Sequence, residues 1–243
     1  MNPSTTRRLG KTAPRLDRRT LQLHRYITPD LPTPPITRRW DAAATDWGVM
    51  GNDQYGNCVI ATAAHAILTW RANELGDTAR ITDSAVVDLS REMGALDGYN
   101  ILDRLSYWRK HGMWGHPLWA YAQIASSNTE LLKSAIDIFG AADIGLALPT
   151  AWKDAPVWDT GHGRRYVEGS WGLHSVPVVG YDANQVYVVT WGAIQPMTWR
   201  GFLSYCDEAY ALITPDWLAR QGTTPSGFDL ETLRASLDVV TAS

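Results

Sequence analysis

Gly51-Asn52-Asp53-Gln54-Tyr55-Gly56-Asn57 is a polar loop, and it runs straight into the apolar, helix-forming stretch Cys58-Val59-Ile60-Ala61-Thr62-Ala63-Ala64. A cysteine at that join is placed for nucleophilic chemistry. Asn57 is a favoured N-cap residue, so Cys58 falls in the first helical turn, where unpaired backbone N–H groups and the positive helix end stabilise an anion. A thiolate is such an anion, and its pKa is expected to fall there. The same position suits a small buried apolar side chain, the usual fate of a free cysteine, and the loop by itself allows both readings. A thiol that attacks a carbonyl also needs a base. Of His24, His65, His111, His116, His162 and His174, only His174 stands where chain order and local structure suit that role, at the start of the strand-like run His174-Ser175-Val176-Pro177-Val178-Val179-Gly180-Tyr181.

The elements that must position these two residues follow from periodicity. Val59, Ile60, Ala63, Ala66, Ile67 and Trp70 keep helical spacing after Cys58, which predicts a central, mostly buried helix to about Asn73 or Glu74, before Gly76. His65 lies about two turns from Cys58, too far to reach the thiol, and reads as a satisfied, half-buried histidine. Further helices are expected over Thr82–Met93, from Ile101 to His111 after the turn Asp97-Gly98-Tyr99-Asn100, and over Thr129–Phe139 before Gly140. The pattern then changes to strands: Asp143–Leu148, Ser175–Tyr181, Val186–Thr190 and Tyr210–Ile213, with Asp182-Ala183-Asn184-Gln185 as a hairpin turn. Pro177 removes a ladder donor, which predicts an edge or a bulge. Helices first and an antiparallel sheet afterwards make an α+β fold of two halves, with a cleft between them as the natural site.

The 243 residues suffice for one large domain with extensions, and three segments are expected: a basic arm over 1–40, a body over 41–217, and a tail over 218–243 with a short helix on Leu230, Leu233 and Leu237. Net charge is −3, but residues 1–41 carry +6 and the remainder −9. The arm holds Arg7, Arg8, Lys11, Arg15, Arg18, Arg19 and Arg25, then the proline-rich Thr28–Pro35, which favours extended chain. It reads as a strap on the acidic body or an anchor for a protein partner. A nucleic-acid partner is not expected, because no aromatic interleaving accompanies the arginines. Two cysteines build no disulfide framework. No stretch approaches a membrane span and the N-terminus is polar, so the chain is expected to act in the cytoplasm without a signal peptide. Neither metal-ligand spacing nor a phosphate loop occurs, and no cofactor is expected. Of the twelve tryptophans, Trp47, Trp114, Trp119, Trp152, Trp171 and Trp199 are expected in core and cleft wall.

The run His174–Tyr181 resembles the histidine strand of papain-like cysteine peptidases, typically His-Ala-Val-x-x-Val-Gly-Tyr. Other landmarks stand in the same order: Cys58 opening a helix; Asp97-Gly98-Tyr99, then a helix and His111-Gly112-Met113, similar to that family's Gly-Gly-Tyr and Tyr-Gly-Ile; and Trp191-Gly192, similar to the Trp-Gly that shields its histidine. The resemblance implies a papain-like fold over residues 50–213, with Cys58 as nucleophile, His174 as base, and an oxyanion held by the Cys58 N–H and a side-chain amide. The family's amide is a glutamine six residues before the cysteine. Asn52 has that position here, and Gln54 is the alternative. Asp97, Gly98, Tyr99 and Trp191 are implied to line the substrate cleft. One departure is clear: Val189 stands where the asparagine that orients the histidine belongs, and valine cannot hydrogen-bond. Thr190 is the expected substitute, with Asp182 behind it.

Nearly the whole chain, the arm included, also resembles a papain-like family of actinobacteria and their phages, in which Gly-Asn-Asp-x-x-Gly-Asp/Asn-Cys, Gly-x-His-x-Val-Pro-Val-Val and Thr-Trp-Gly-x-x-x-x-Met-Thr-Trp recur; Thr190–Trp199 carries the last. That family has no established activity. Two functions are therefore expected: a thiol hydrolase acting on a peptide or protein substrate at a peptide or isopeptide bond, or a weak or inactive papain-fold structural protein, such as a phage virion component anchored by its arm.

Overall fold

Helix α1, Cys58–Leu75, is apolar around nearly its whole circumference, and a helix of that kind must be buried on all sides. It ends at Gly76, whose φ of 62° is the left-handed C-cap conformation that glycine adopts without a Cβ clash. The computed structural model describes residues 6–218, 229 and 231–235. Around α1 lie α2 (Asp83–Glu92), α3 (Ile101–His111) and α4 (Thr129–Phe139), capped by the side chains of Thr82, Asn100 and Asn128, which accept from the N–H groups of Ala85, Leu102 and Leu131. These bounds match the periodicity to within a residue or two.

The sheet is eight-stranded: β1 (Leu21–Gln22), β2 (Arg38–Arg39), β3 (Ala120–Ile124), β4 (Ala142–Leu148), β5 (Gly172–Tyr181), β6 (Gln185–Thr190), β7 (Ala193–Thr198) and β8 (Cys206–Ile213). Its order is β1-β3-β8-β4-β5-β6-β7, with β2 joining β5 at Gly180–Tyr181, beyond the end of β4. Only the β1–β3 pair in it is parallel. The fold is α+β, with helices on one side and a mostly antiparallel sheet on the other. Two short helices complete it, α5 (Trp199–Tyr205) and α6 (Pro215–Leu218).

Of the expectations about the fold, that of Trp119 in core or cleft wall needs correction. Strand β5 is central, and of the edge or bulge that Pro177 predicts it shows the bulge. Pro177 pairs with Asp143 of β4 and precedes the stretch that pairs with β6, and the register shifts between Val178 and Gly180, so the missing N–H falls where no β6 partner stands. Residues 6–40 lie against the body: β1 and β2 are sheet strands, and Leu23 and Tyr26 are buried. Trp119 is exposed, with the Arg234 guanidinium 5.2 Å from its ring centroid, whereas Trp47 and Trp152 are in the core. In the tail, Leu233 is buried and the Asp229 N–H donates to Tyr26 O at 3.0 Å. Leu230, Leu237 and the run Gly222–Gly227 lie outside the described residues. No helix among the described residues is long and apolar enough to cross a membrane.

Candidate active site

Cys58 is the first residue of α1, and His174 stands near the start of β5; α1 packs on β5, so the two face each other across the join of the two halves. They line one cavity together with Asn52, Thr62, His65, Ser175, Val189, Thr190 and Trp191. That cavity measures about 10 Å3, the lower limit for a single water.

His174 is held by two contacts. Its Nε2 shares a hydrogen bond of 2.7 Å with Thr190 Oγ1 at the end of β6. Its ring is stacked on Trp191, with centroids 4.5 Å apart and planes 11° apart. The cause is local: Trp191 and Gly192 form the two-residue turn between β6 and β7 with φ of 46° and 80°, and a two-residue turn with positive φ at both positions fits the twist of a hairpin. A tryptophan in that conformation is strained by about 1–2 kcal/mol, and what it gains is an indole face over the imidazole. Burial, with a smaller contribution from His65, lowers the His174 pKa to about 3, so the ring is neutral at pH 7. Its Nδ1 is buried and has no hydrogen-bond partner among the described residues.

Asn57 occupies the N-cap position, but its amide donates to Met50 O at 2.9 Å instead of capping the helix. The expectation of a lowered cysteine pKa is also reversed in this state. Burial raises the pKa of Cys58, and the opposing pull of the backbone N–H groups of Ser175, Gly10 and Val59 does not offset it. Below Cys58, the Thr62 hydroxyl donates to Cys58 O at 2.9 Å and lies 3.1 Å from Ser175 Oγ, which donates to Asp143 Oδ1 at 3.2 Å. Asp143 pairs in turn with the fully buried Arg104. This polar chain ties α1, α3, β4 and β5 together beneath the thiol.

The remaining candidates divide. Asn52 is buried in the cavity wall, its amide donating to Tyr55 O at 3.0 Å. Gln54 is exposed and outside the cavity. Asp182 holds the β5–β6 turn, accepting from Tyr187 Oη at 2.6 Å and from the N–H groups of Asn184 and Gln185, and is not in the cavity. Val189 is a buried apolar wall residue. His65 is fully buried rather than half-buried, with Nε2 3.1 Å from both Trp47 O and Gly48 O and a pKa lowered to about 4 by burial.

What sequence reasoning missed is the occupant. Residues 8–12 run through the cleft, with one isolated β-bridge between Lys11 and Tyr99: Arg8 N–H donates to Asn52 O at 3.1 Å, Lys11 N–H to Leu173 O at 3.3 Å, Thr12 N–H to Tyr99 O at 3.0 Å, and Tyr99 N–H to Gly10 O at 2.7 Å. Trp191 Nε1 donates to Arg8 O at 3.2 Å. Gly98 and Tyr99 thus hold the chain's own N-terminal segment, while Asp97 beside them is exposed. Gly10 passes the sulfur with its N–H toward it. Lys11 is buried between Asp207 and Glu208.

No family model and no curated protein matches the sequence. Solved structures do. Xylellain, a cysteine protease from Xylella fastidiosa, is similar with a TM-score of 0.66 at 13% identity, over 88% of this chain and 98% of that one. Digestive procathepsin L 3 of Tenebrio molitor larval midgut matches with a TM-score of 0.58 at 13% identity, over 86% and 76%. The Carica candamarcensis cysteine protease CMS1MS2, in complex with E-64, matches with 0.56 at 15% identity, over 74% and 99%. The chain has a papain-like fold.

Proposed function

We propose that this chain is a thiol hydrolase that cleaves a peptide or isopeptide bond, and that its own residues 8–12 close it at rest. The observation that carries the reading is His174. One ring nitrogen is held by Thr190, the other has no partner among the described residues and is buried in the cavity it shares with Cys58, and an indole covers the ring. Nε2–H donating to Thr190 Oγ1 fixes the tautomer that leaves Nδ1 as the base. Once the cleft is open, Nδ1 takes the thiol proton as sulfur bonds to the substrate carbonyl carbon. The oxyanion rests on the Cys58 N–H and on the Asn52 amide N–H that Tyr55 does not use. The imidazolium then gives its proton to the leaving amine as the C–N bond breaks. Water, deprotonated by His174, hydrolyses the thioester and restores the thiol. The similar structures include cysteine proteases and a procathepsin, which supports both the chemistry and the closed state.

The test is alkylation of Cys58 across pH in full-length Gly10→Ala, which opens the cleft, with and without His174→Ala. The apparent thiol pKa is expected well below about 8.5 with His174 and near it without. A value near 8.5 in both would sink the hydrolase reading.

A further inference from the structure

We infer that the pocket formed by Gly145, Asp207 and Glu208 selects the substrate, taking the lysine or arginine side chain of an extended peptide; this rests on the hydrolase reading of Cys58. The position fits. Lys11 follows Gly10, whose N–H is at the sulfur, and an extended chain advances about 3.3 Å per residue. Its own N–H bonds to Leu173 O, the carbonyl just before His174. A peptide strand using those backbone groups delivers one side chain to this pocket.

The pocket is built for a long cation. Lys11 Nζ lies 2.8 Å from Asp207 Oδ2 and 2.9 Å from Glu208 Oε1, with 0% of its side chain exposed and only 16% and 2% of theirs. Position 145 makes the shaft: a Cβ there would stand 2.2 Å from Lys11 Cε, 2.5 Å from Asp207 Oδ1 and 2.7 Å from Glu208 Cγ. Any side chain at 145 would fill the space of the lysine stem. Glu208 is fixed by Tyr210 Oη, which donates to Oε2 at 2.8 Å. The buried Arg104 pairs with Asp143 and also attracts Glu208 at longer range, whereas among the described residues only Lys11 makes a direct ion pair with Asp207 and Glu208. An apolar side chain would fill the shaft yet strand two carboxylates with little water, a costly arrangement.

The test separates binding from turnover. Full-length Gly10→Ala is titrated with a fluorescent peptide of residues 6–13 carrying lysine or norleucine at the position of Lys11, and is then assayed on fluorogenic peptides with lysine, arginine, leucine or norleucine at each position before the scissile bond. The lysine peptide is expected to bind roughly 30-fold or more tightly than the norleucine peptide. Glu208→Gln should remove most of that gap without weakening the norleucine peptide. Turnover should favour lysine or arginine at one position. Equal binding of the two peptides, or turnover indifferent to a basic residue, overturns the inference while leaving the hydrolase reading intact. Lysine-dependent binding without turnover of any peptide overturns the hydrolase reading instead. If Gly10→Ala does not fold, Lys11→Glu, which drives the segment out by charge, takes its place in both assays.

Discussion

Replacing Gly10 with alanine should open the cleft. The added Cβ would lie 1.7 Å from Gly56 O, 2.3 Å from Gly56 C and 2.6 Å from Gly56 Cα, all backbone atoms with no rotamer to move. Gly56 cannot retreat freely either, because its N–H is bonded to Leu96 O at 2.6 Å. The four backbone hydrogen bonds that hold residues 8–12 to Asn52, Tyr99 and Leu173 contribute about 1 kcal/mol each, about 4 kcal/mol together. Those bonds alone hold the open fraction to roughly one in a thousand, and the Lys11 ion pairs and the Trp191–Arg8 bond lower it further. A forced methyl in a packed site costs about 1–3 kcal/mol, and contact with fixed backbone belongs at the upper end. About 3 kcal/mol raises the open fraction roughly 100-fold, and alkylation of Cys58 gated by that opening rises by the same factor. The assay is the rate of iodoacetamide modification of the Cys58 peptide, followed by mass spectrometry at pH 7.5, with near-UV circular dichroism to establish that the variant is folded. A folded Gly10→Ala protein alkylated at the wild-type rate would refute the reasoning.

On the opened protein, Thr190→Val leaves His174 Nε2 without a partner, a loss of about 1–3 kcal/mol; kcat should fall roughly 10- to 100-fold with KM nearly unchanged, and Thr190→Ser should keep most of the activity. Asp143→Ala strands the buried Arg104 cation and should lower unfolding free energy by about 3–5 kcal/mol, read from urea midpoints. The fold holds His174 and His65 neutral, with pKa values lowered to about 3 and about 4, whereas the unfolded chain takes up those protons near pH 6.5. Stability is therefore fully present above about pH 6.5 and falls as the pH drops toward 4, with a slope approaching about 2.7 kcal/mol per pH unit from the two rings. Urea midpoints at pH 7, 6 and 5 measure that slope, and His65→Gln should roughly halve it; a flat profile would contradict the buried neutral rings.

Legibility followed the range of the interactions. Helices α1 to α4 were readable because their caps and apolar faces are local, and β5 and β6 because their apolar runs flank a turn. Strand β7 is missing from the expected strands because it contains Gln195 and Pro196, which an outer strand tolerates and a central one does not. Strand β3, Ala-Tyr-Ala-Gln-Ile, alternates buried and half-buried, but its inward alanines carry little apolar signal. The site divides in the same way. Positions of Cys58, His174, Asn52 and Thr190 follow from motif order. The protonation of the thiol does not: the local helix-end argument has the right sign, since the neighbouring N–H groups do pull the pKa down, but it loses to burial beneath a segment distant in sequence. The acidic pair Asp207–Glu208 reads only as charge until Lys11 is seen between its carboxylates.

The uneven charge of the sequence invites the idea that residues 6–40 are held by general attraction to an acidic body, and the pairs themselves argue otherwise. Arg15–Asp103 is about half exposed on both sides, and Arg19 pairs within its own segment with Asp17. Exposed pairs of this kind contribute about 0–1 kcal/mol and are screened by salt. Lys11 differs in being wholly buried, and it lies beside the point where Gly10, Gly56 and Gly98 meet, too closely for side chains. That point sets the register. A slip by one residue would bring the Cβ of Leu9 or Lys11 against Gly56 O and take the ammonium away from Asp207 and Glu208. The segment therefore lies in the cleft in one register, with a glycine at the thiol and a lysine in the acidic pocket, and its remaining arginines add little to that choice.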